Sequence, residues 1–295
     1  MPDSGILVVD KPSVWTSHQV VGRCRRLLGT RKVGHAGTLD PMATGVLVIG
    51  VEKATRLLGY LALSTKTYTA TIRLGQATAT DDAEGEVTTA SGAGGVRDAE
   101  IDAALAPLRG DIVQVPSTVS AIKINGQRAY ARARRGEDVV LAGRAVTVSR
   151  FDIIGRRDTD ADGLAVTDLD VVVDCSSGTY IRALARDLGA ALGTGGHLTA
   201  LRRTRVGGFE LDGALTPEEL TADPPRTPAV IGMAEVARRC FAHVELGDDQ
   251  AVDVGYGRAL QLTLPADPTA LLHDGRLLAL YRPDADRAVP VAVLV

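Results

Sequence analysis

The sequence is poor in cysteine and histidine, the residues that most often build disulfides and metal sites. Its 295 residues include three cysteines and five histidines. The cysteines, Cys24, Cys175 and Cys240, are odd in number and far apart, which fits neither a disulfide framework nor a zinc cluster. No two histidines have the spacing of a helical metal site. We therefore expect reduced core cysteines and no bound metal.

The sequence also lacks a long apolar run and a secretory signal. No apolar stretch approaches the roughly 20 residues needed to span a bilayer, and the N-terminus does not follow the pattern of a signal peptide. Hydrophobic residues make up 45% and charged residues 23% of the chain, which is typical of a globular enzyme. We expect a cytoplasmic protein with one large domain and a smaller one.

The net charge of -3 conceals an uneven distribution of cations. Residues 11–35 contain six Lys or Arg and no Asp or Glu, residues 123–150 contain seven against two, and residues 182–205 contain five against one. A single basic run is as often a solvated face as a binding site. Three such runs on an otherwise acidic chain predict a polyanion site.

The segment Gly34–Gly45 places one carboxylate in a turn rich in glycine. Glycine allows backbone conformations that other residues avoid, and Pro41 biases Asp40 toward an extended conformation. An isolated Asp-Pro pair is most often an ordinary turn. Here a basic helix precedes the segment and an apolar strand follows it, which favours a held and functional Asp40.

Hydrophobic periodicity predicts a mixed α+β fold. The predicted strands cover residues 5–10, 46–49, 66–74, 146–154 and 169–175. The predicted helices begin at Thr16 or Ser17, near Ile101 and near Tyr180, and residues 81–95 are predicted to form a loop. Pro217 and the three prolines within residues 223–228 predict a boundary. We therefore divide the chain into residues 1–229 and a small, strand-rich domain of residues 230–295.

Residues 116–145 have neither a helical nor a strand period, and they contain the densest cluster of arginines. A loop of this length inside a compact domain is usually functional. The basic side chains of the segment are Lys123, Arg128, Arg132, Arg134 and Arg135.

Five motifs follow one another along the chain. They are Asp10-Lys11-Pro12, the Asp40 turn, Lys66-Thr67-Tyr68, Ser176–Arg182 and Leu201–Arg205. In this order and spacing, residues 5–215 closely resemble the bacterial tRNA pseudouridine-55 synthases of the TruB family. The resemblance implies a catalytic fold with a central, mostly antiparallel sheet flanked by helices and loops, and a small PUA-like RNA-binding domain at the C-terminus. It also implies that uridine 55 in the T-loop of tRNA is flipped out and isomerised without a cofactor.

The resemblance assigns a role to individual residues. Asp40 matches the catalytic carboxylate, and Arg182 matches the arginine that pairs with it. Tyr68 matches the tyrosine that stacks on the target base, with its phenol oxygen placed for proton transfer at C5. His35 matches the histidine that occupies the space of the flipped base, and Leu201 matches an apolar residue of the uracil pocket. Taken alone, Tyr68 and Leu201 are better explained by core packing, and His35 by a turn hydrogen bond.

The remaining assignments concern the Lys-Pro motif and the basic residues. Lys11 is a candidate for substrate binding, although we interpret it with Pro12 as support beneath the Asp40 turn. The resemblance makes residues 116–145 a thumb loop that clamps the T-arm, with its basic side chains on phosphates. Arg202 is assigned to phosphates or, equally, to a structural ion pair. Many relatives have glycine two residues after the motif proline, whereas this chain has Val14, which predicts a slightly different local turn.

Other functions remain open at this point. A glycoside hydrolase would need a second carboxylate facing Asp40, and none accompanies it in the motifs. A non-catalytic RNA-binding or tRNA-folding protein and a guide-RNA-dependent pseudouridine synthase are the alternatives. We expect a monomer that binds the T-arm of tRNA without an obligate protein partner. Whether Asp40 attacks the base, attacks the ribose or removes a ribose proton is not decided by the sequence.

Overall fold

A computed structural model describes residues 3–117, 123–124, 127–128, 141–222 and 227–295. Its strands are β1 (Gly5–Lys11), β2 (Val33–Ala36), β3 (Thr44–Val51), β4 (Lys66–Leu74), β5 (Gln76–Thr78), β6 (Val87–Ala90), β7 (Gly110–Gln114), β8 (Lys123–Ile124), β9 (Gln127–Arg128), β10 (Arg144–Ala161), β11 (Leu164–Cys175), β12 (Gly196–Val206), β13 (Phe209–Glu210), β14 (Ile231–Gly232), β15 (Ala242–Glu245), β16 (Thr269–His273), β17 (Arg276–Asp284) and β18 (Arg287–Val293). Its α-helices are α1 (Ser17–Leu28), α2 (Leu58–Leu61), α3 (Asp98–Leu105), α4 (Ile181–Ala191), α5 (Pro217–Thr221), α6 (Met233–Cys240) and α7 (Asp248–Gly255). The predicted α+β class is confirmed.

The chain packs as two units. The first unit contains Met1–Ser64 and Arg205–Val295, and the second contains Thr65–Thr204. The predicted division between residues 1–229 and 230–295 stays a prediction.

In the first unit, β1 lies between two layers of apolar side chains. It pairs antiparallel with β3 and with β14. Leu7 and Val9 pack in one core cluster with α1, while Ile6 and Val8 pack in another with the C-terminal strands, including Ala270. Burial on both faces explains why β1 is continuously apolar instead of alternating.

The helix α1 carries its own start and stop signals. Thr16 is the N-cap, and it forms a capping box with Gln19. Gly29 ends the helix at a φ of 62°, in the left-handed region that favours glycine. The start of α1 agrees with the predicted start at Thr16 or Ser17.

The second unit contains a sheet in the order β12-β4-β11-β10-β7. The side chains of β4 alternate, with Lys66, Tyr68 and Ala70 buried and the intervening residues half-buried. On the half-buried face, Thr71 donates to Asp170 at 2.7 Å and Arg73 donates two hydrogen bonds of 2.8 Å to Asp168, both on β11. The alternation therefore separates a buried face, which is apolar apart from Lys66, from a polar face, and the predicted strand over residues 66–74 is confirmed.

Two parts of the fold differ from the prediction. The hairpin β10–β11 is longer than predicted, because a polar extension continues to Asp162-Gly163, where φ values of 55° and 85° mark a tight hairpin turn. The C-terminal region also contains the helices α6 and α7, although only short strands were predicted there. In α6, Met233, Val236 and Ala237 have the spacing of an apolar helical face.

The two segments predicted to form loops both contain short strands, and only part of residues 116–145 is described. Within residues 81–95, β6 pairs with β5, so that segment is not wholly a loop. Within residues 116–145, the described backbone includes a short pairing of β8 with β9. In the described part of the chain, no helix is both long and apolar enough to cross a membrane.

Candidate active site

Asp40 occupies the turn between β2 and β3. Its carbonyl oxygen accepts a hydrogen bond of 3.1 Å from the amide of Ala43, and its side chain is half-buried. Gly37 and Gly45 flank the turn at φ values of 75° and 100°, a region that side chains with a Cβ rarely adopt. The glycines thus permit a sharp turn that presents the carboxylate at a partly accessible position.

Lys11 supports this turn from below. Its side chain is fully buried. Its Nζ donates to the carbonyl oxygens of Pro12 at 2.9 Å, Trp15 at 2.6 Å and Pro41 at 3.1 Å. The ammonium group therefore ties the loop after β1 to the residue that follows Asp40. These contacts agree with structural support, and the burial of Lys11 does not favour a direct contact with substrate.

Val14 holds the same turn from the other side at a conformational cost. Its amide donates to the carbonyl oxygen of Pro41 at 2.8 Å, while its side chain is 79% exposed. Its φ is 72°, which is unfavourable for a β-branched residue. The backbone at position 14 therefore has a conformation that favours glycine, although the residue there is valine.

His35 lies on β2 opposite Ile49 of β3. Its ring meets that of His18 edge to face, with centroids 5.6 Å apart and an interplanar angle of 79°. His18 lies in the first turn of α1 and is exposed. The sequence analysis did not single out His18, because no motif includes it and the contact joins residues far apart in the chain.

In the second unit, Tyr68 and Leu201 lie on neighbouring strands. Tyr68 on β4 pairs with Val173 of β11, and its side chain is 8% exposed. Leu201, on β12, is also 8% exposed. Both side chains are therefore largely buried within the second unit, consistent with an apolar pocket as well as with core packing.

Arg182, in the first turn of α4, is held by the loop after β5. Its Nη1 lies 3.2 Å from Oδ2 of Asp82 and donates to the carbonyl oxygen of Thr80 at 2.9 Å. The side chains of Arg182 and Asp82 are 5% and 3% exposed. Asp82 was not a sequence-predicted site residue, although its place in a polar, glycine-ended segment was visible. The pairing of Arg182 with Asp40 stays a prediction.

One turn further along α4, Arg186 makes a similar but more exposed pair. Its Nη1 lies 3.3 Å from Oδ2 of Asp81, with side chains 30% and 15% exposed. Burial raises the pKa of Asp81, and its hydrogen bond with Ser117 and the charges of Arg186 and Arg182 oppose that rise. The adjacent aspartates thus bind successive turns of α4 in different environments.

Gln114 of β7 fixes the start of α4. Its Nε2 donates to the carbonyl oxygen of Tyr180 at 3.0 Å, and its Oε1 accepts from the amide of Tyr180 at 2.7 Å. Gln114 is 1% exposed. Because Tyr180 is the N-cap of α4, this reciprocal contact holds the start of the helical turn that carries Arg182.

Two buried cations lie near Tyr68. Lys66, two residues before Tyr68 on the same face of β4, is 5% exposed, and Arg203 is 1% exposed. Burial and the neighbouring charge of Arg203 lower the pKa of Lys66 to about 8. Arg203 is too deeply buried to be a surface phosphate ligand, whereas Arg202 is half-buried and its assignment stays a prediction.

The structure places only part of the thumb-loop assignment. Lys123 and Arg128 are partners in the β8–β9 pairing, but their side chains are not described. Arg132, Arg134 and Arg135 lie outside the described residues. Among the described residues, no group of three or more His, Cys, Asp or Glu is arranged to hold a metal ion.

The described groups suit proton transfer and addition by a carboxylate. One half-buried carboxylate stands in a rigid turn, and a buried tyrosine and a fixed guanidinium stand at the start of other elements.

Comparison with known proteins decides which chemistry this is. Residues 25–181 match the N-terminal domain of TruB family pseudouridylate synthases. Residues 182–224 match a C-terminal domain of tRNA pseudouridylate synthase B, and residues 241–295 match the C-terminal domain of tRNA pseudouridine synthase II. The chain belongs to the TruB family of pseudouridylate synthases.

Individual relatives agree over nearly the whole chain. A tRNA pseudouridine synthase B of Nocardia farcinica is 60% identical, covering 99% of this chain and 94% of the relative. One of Cutibacterium acnes is 59% identical, covering 96% and 95%. The Cbf5–Nop10–Gar1 complex contains a chain with a TM-score of 0.71 and 25% identity, covering 98% of this chain and 83% of that one. The enzyme is therefore a pseudouridine synthase, an isomerase, and the structural likeness supports its fold.

Proposed function

We propose that the enzyme converts uridine 55 in the T-loop of tRNA to pseudouridine, with Asp40 as the catalytic carboxylate. The observation that carries the proposal is the 60% identity, over 99% of the chain, to a protein named tRNA pseudouridine synthase B. The held turn around Asp40 supports it, since a catalytic group must be positioned before the substrate arrives.

The proposed reaction breaks the bond between N1 of uracil and C1′ of ribose and forms a bond between C5 and C1′. The proton on C5 leaves and N1 gains one, so the product is an isomer of the substrate. Asp40 acts as nucleophile or as base in this sequence. Desolvation by the bound RNA would raise the pKa of its carboxyl, and we propose that the charge of Arg182 opposes that rise.

The base must leave its stack to react, at a cost of a few kcal/mol. We propose that Tyr68 stacks on the flipped uracil with its phenol oxygen near C5, that Leu201 lines the pocket, and that His35 fills the vacated space. The basic residues of the thumb loop would bind T-arm phosphates. The enzyme would act in the cytoplasm as a monomer, without an obligate protein partner or a guide RNA.

The proposal is tested by release of tritium from C5-labelled uridine in a T-arm stem-loop. The purified wild-type chain should release tritium without any added protein or guide RNA, and a stem-loop with cytidine at position 55 and labelled uridines elsewhere should release none. Asp40→Asn should release none while binding the stem-loop nearly as tightly, because the amide keeps the shape of the carboxylate but cannot act as nucleophile or base. Repeated turnover by Asp40→Asn would contradict the role of Asp40, and a requirement for a guide RNA would favour that alternative.

A further inference from the structure

Ser17, the first residue of α1, contacts the backbone on the N-terminal side of Asp40. Its Oγ donates to the carbonyl oxygen of Leu39 at 3.2 Å and accepts from the amide of Leu39 at 3.0 Å. The two residues are 22 positions apart in the chain, and Ser17 is 1% exposed. One hydroxyl group therefore binds both backbone polar groups of the residue that precedes Asp40.

The C-terminal side of Asp40 is held by Lys11 and Val14, which precede Ser17 in the chain. The carbonyl oxygen of Pro41 accepts from the amide of Val14 at 2.8 Å and from Nζ of Lys11 at 3.1 Å. Leu39 is itself 4% exposed, so its side chain anchors the turn in the core. The backbone is thus fixed on each side of the one carboxylate that the proposed chemistry uses.

We propose that Ser17 is a positioning residue for catalysis, which sets the place of the Asp40 carboxylate through Leu39 without touching the substrate. This inference rests on the proposed role of Asp40. A hydroxyl that binds both the N–H and the C=O of one residue restrains its position and its rotation about the chain. A displacement of about 1 Å at a reacting group costs about 100-fold in rate, so a loose Leu39 would slow the chemical step.

A purely structural role for Ser17 is the competing explanation, because buried backbone groups need hydrogen-bond partners in any protein. The chain offers a matched control for that role. Thr269 is 0% exposed, and its Oγ1 donates to the carbonyl oxygen of Ala266 at 2.7 Å and accepts from the amide of Ala266 at 3.2 Å. It makes the same reciprocal contact at the start of β16, in a region to which the proposed mechanism assigns no catalytic group.

The test compares Ser17→Ala with Thr269→Val, each of which removes one buried hydroxyl group. Both should lower the melting temperature by a few degrees, because each leaves one N–H and one C=O without that partner. The single-turnover rate at saturating T-arm stem-loop should fall by about 10- to 100-fold in Ser17→Ala. It should stay within about twofold of wild type in Thr269→Val, and RNA affinity should be nearly unchanged in both. Rates are measured at a temperature where every variant is folded.

A wild-type single-turnover rate in Ser17→Ala, with the same loss of melting temperature as in Thr269→Val, would overturn the inference. Asp40→Asn is assayed alongside. If Asp40→Asn is inactive and Ser17→Ala is not impaired, only the role of Ser17 fails. If Asp40→Asn is active, the proposed role of Asp40 fails, and the proposed function fails if the wild-type chain releases no tritium from the stem-loop. If Ser17→Ala does not fold, Ser17→Cys is used with the same criteria, since a thiol fills the site but is a weak hydrogen-bond partner.

Discussion

The two aspartates that bind α4 provide a matched test of burial. The Arg182–Asp82 and Arg186–Asp81 pairs have nearly equal N–O distances, 3.2 and 3.3 Å, and lie one helical turn apart. Their burial differs, since the side chains of the first pair are 5% and 3% exposed and those of the second are 30% and 15% exposed. Replacing each aspartate with asparagine removes one charge from each pair while keeping the side-chain shape.

The expected losses of stability differ because the two arginines are solvated differently. Removing one partner of a buried ion pair costs about 3 to 5 kcal/mol, since the other charge remains buried. Asp82→Asn should lie within this range, because an amide oxygen that still accepts from the amide of Glu84, as Oδ1 of Asp82 does at 3.1 Å, leaves the amide NH2 group facing Arg182. Asp81→Asn should cost less than about 1 kcal/mol, because Arg186 is partly hydrated and keeps its contact with Asp187 at 2.8 Å. Burial also raises the pKa of Asp81 and disfavours its charge.

Urea denaturation of the wild type and the two variants measures these losses as shifts in midpoint at constant slope. Asp82→Asn should also lower the single-turnover rate, because Arg182 loses the carboxylate that orients it, whereas Asp81→Asn should change that rate little. Equal losses of stability in the two variants, or a larger loss in Asp81→Asn, would refute the argument from burial.

Three other substitutions test separate parts of the structure. Tyr68→Phe should keep RNA affinity and lose single-turnover rate, because the ring still stacks while the phenol oxygen is gone; an equal loss of affinity in Tyr68→Phe and Tyr68→Leu would indicate a packing role. Val14→Gly should raise the free energy of unfolding by about 1 kcal/mol in urea titrations, because relief of strain exceeds the added chain entropy. The control Val113→Gly, at a position 76% exposed in a strand, should lower it, and destabilisation by both would contradict the strain. The free energy of unfolding of Lys66→Met should exceed that of wild type by the largest amount at pH 7. This difference should shrink by about 2 kcal/mol between pH 8 and 10.5. In that window the unfolded chain binds the Lys66 proton more tightly than the folded chain, because the folded pKa is lowered to about 8. Wild-type stability therefore rises with pH there. A stability difference between Lys66→Met and wild type that does not change with pH would show that the burial of Lys66 is not costly.

The sequence predicted the elements whose signals are local. β1, α1 and β4 have an apolar run, a cap or an alternation that needs no distant partner to be recognised. The polar extension of β10 and β11 has no such apolar pattern, because side-chain pairs such as Arg157 with Asp170 hold it together across the strands. The Asp162-Gly163 turn was the available signal. The helix α6 was missed because its apolar face is only two turns long and follows a glycine.

The candidate site was predictable to a different extent. The motifs singled out Asp40, Tyr68 and Arg182 as candidates, since carboxylate, aromatic and guanidinium groups have chemistry that is evident from the residue type, and their roles stay predictions. They did not locate Asp82, Gln114 or the contact between His18 and His35. Each of these contacts depends on the register of elements far apart in the chain, which periodicity within one element cannot give.

The contacts that hold the site explain this difference. Lys11, Ser17 and Arg182 each bind at least one backbone carbonyl oxygen, those of Pro41, Leu39 and Thr80 respectively. A carbonyl group is present at every residue, so the sequence can mark the donor but not the group that it holds. Lys11 and Arg182 are therefore visible as motif residues and Ser17 as a predicted helix start, while the backbone groups that they bind become visible only when the chain is folded. A substitution of Leu39 or Thr80 that preserves the backbone should accordingly be tolerated better than loss of Ser17 or Arg182, which the single-turnover assay can compare directly.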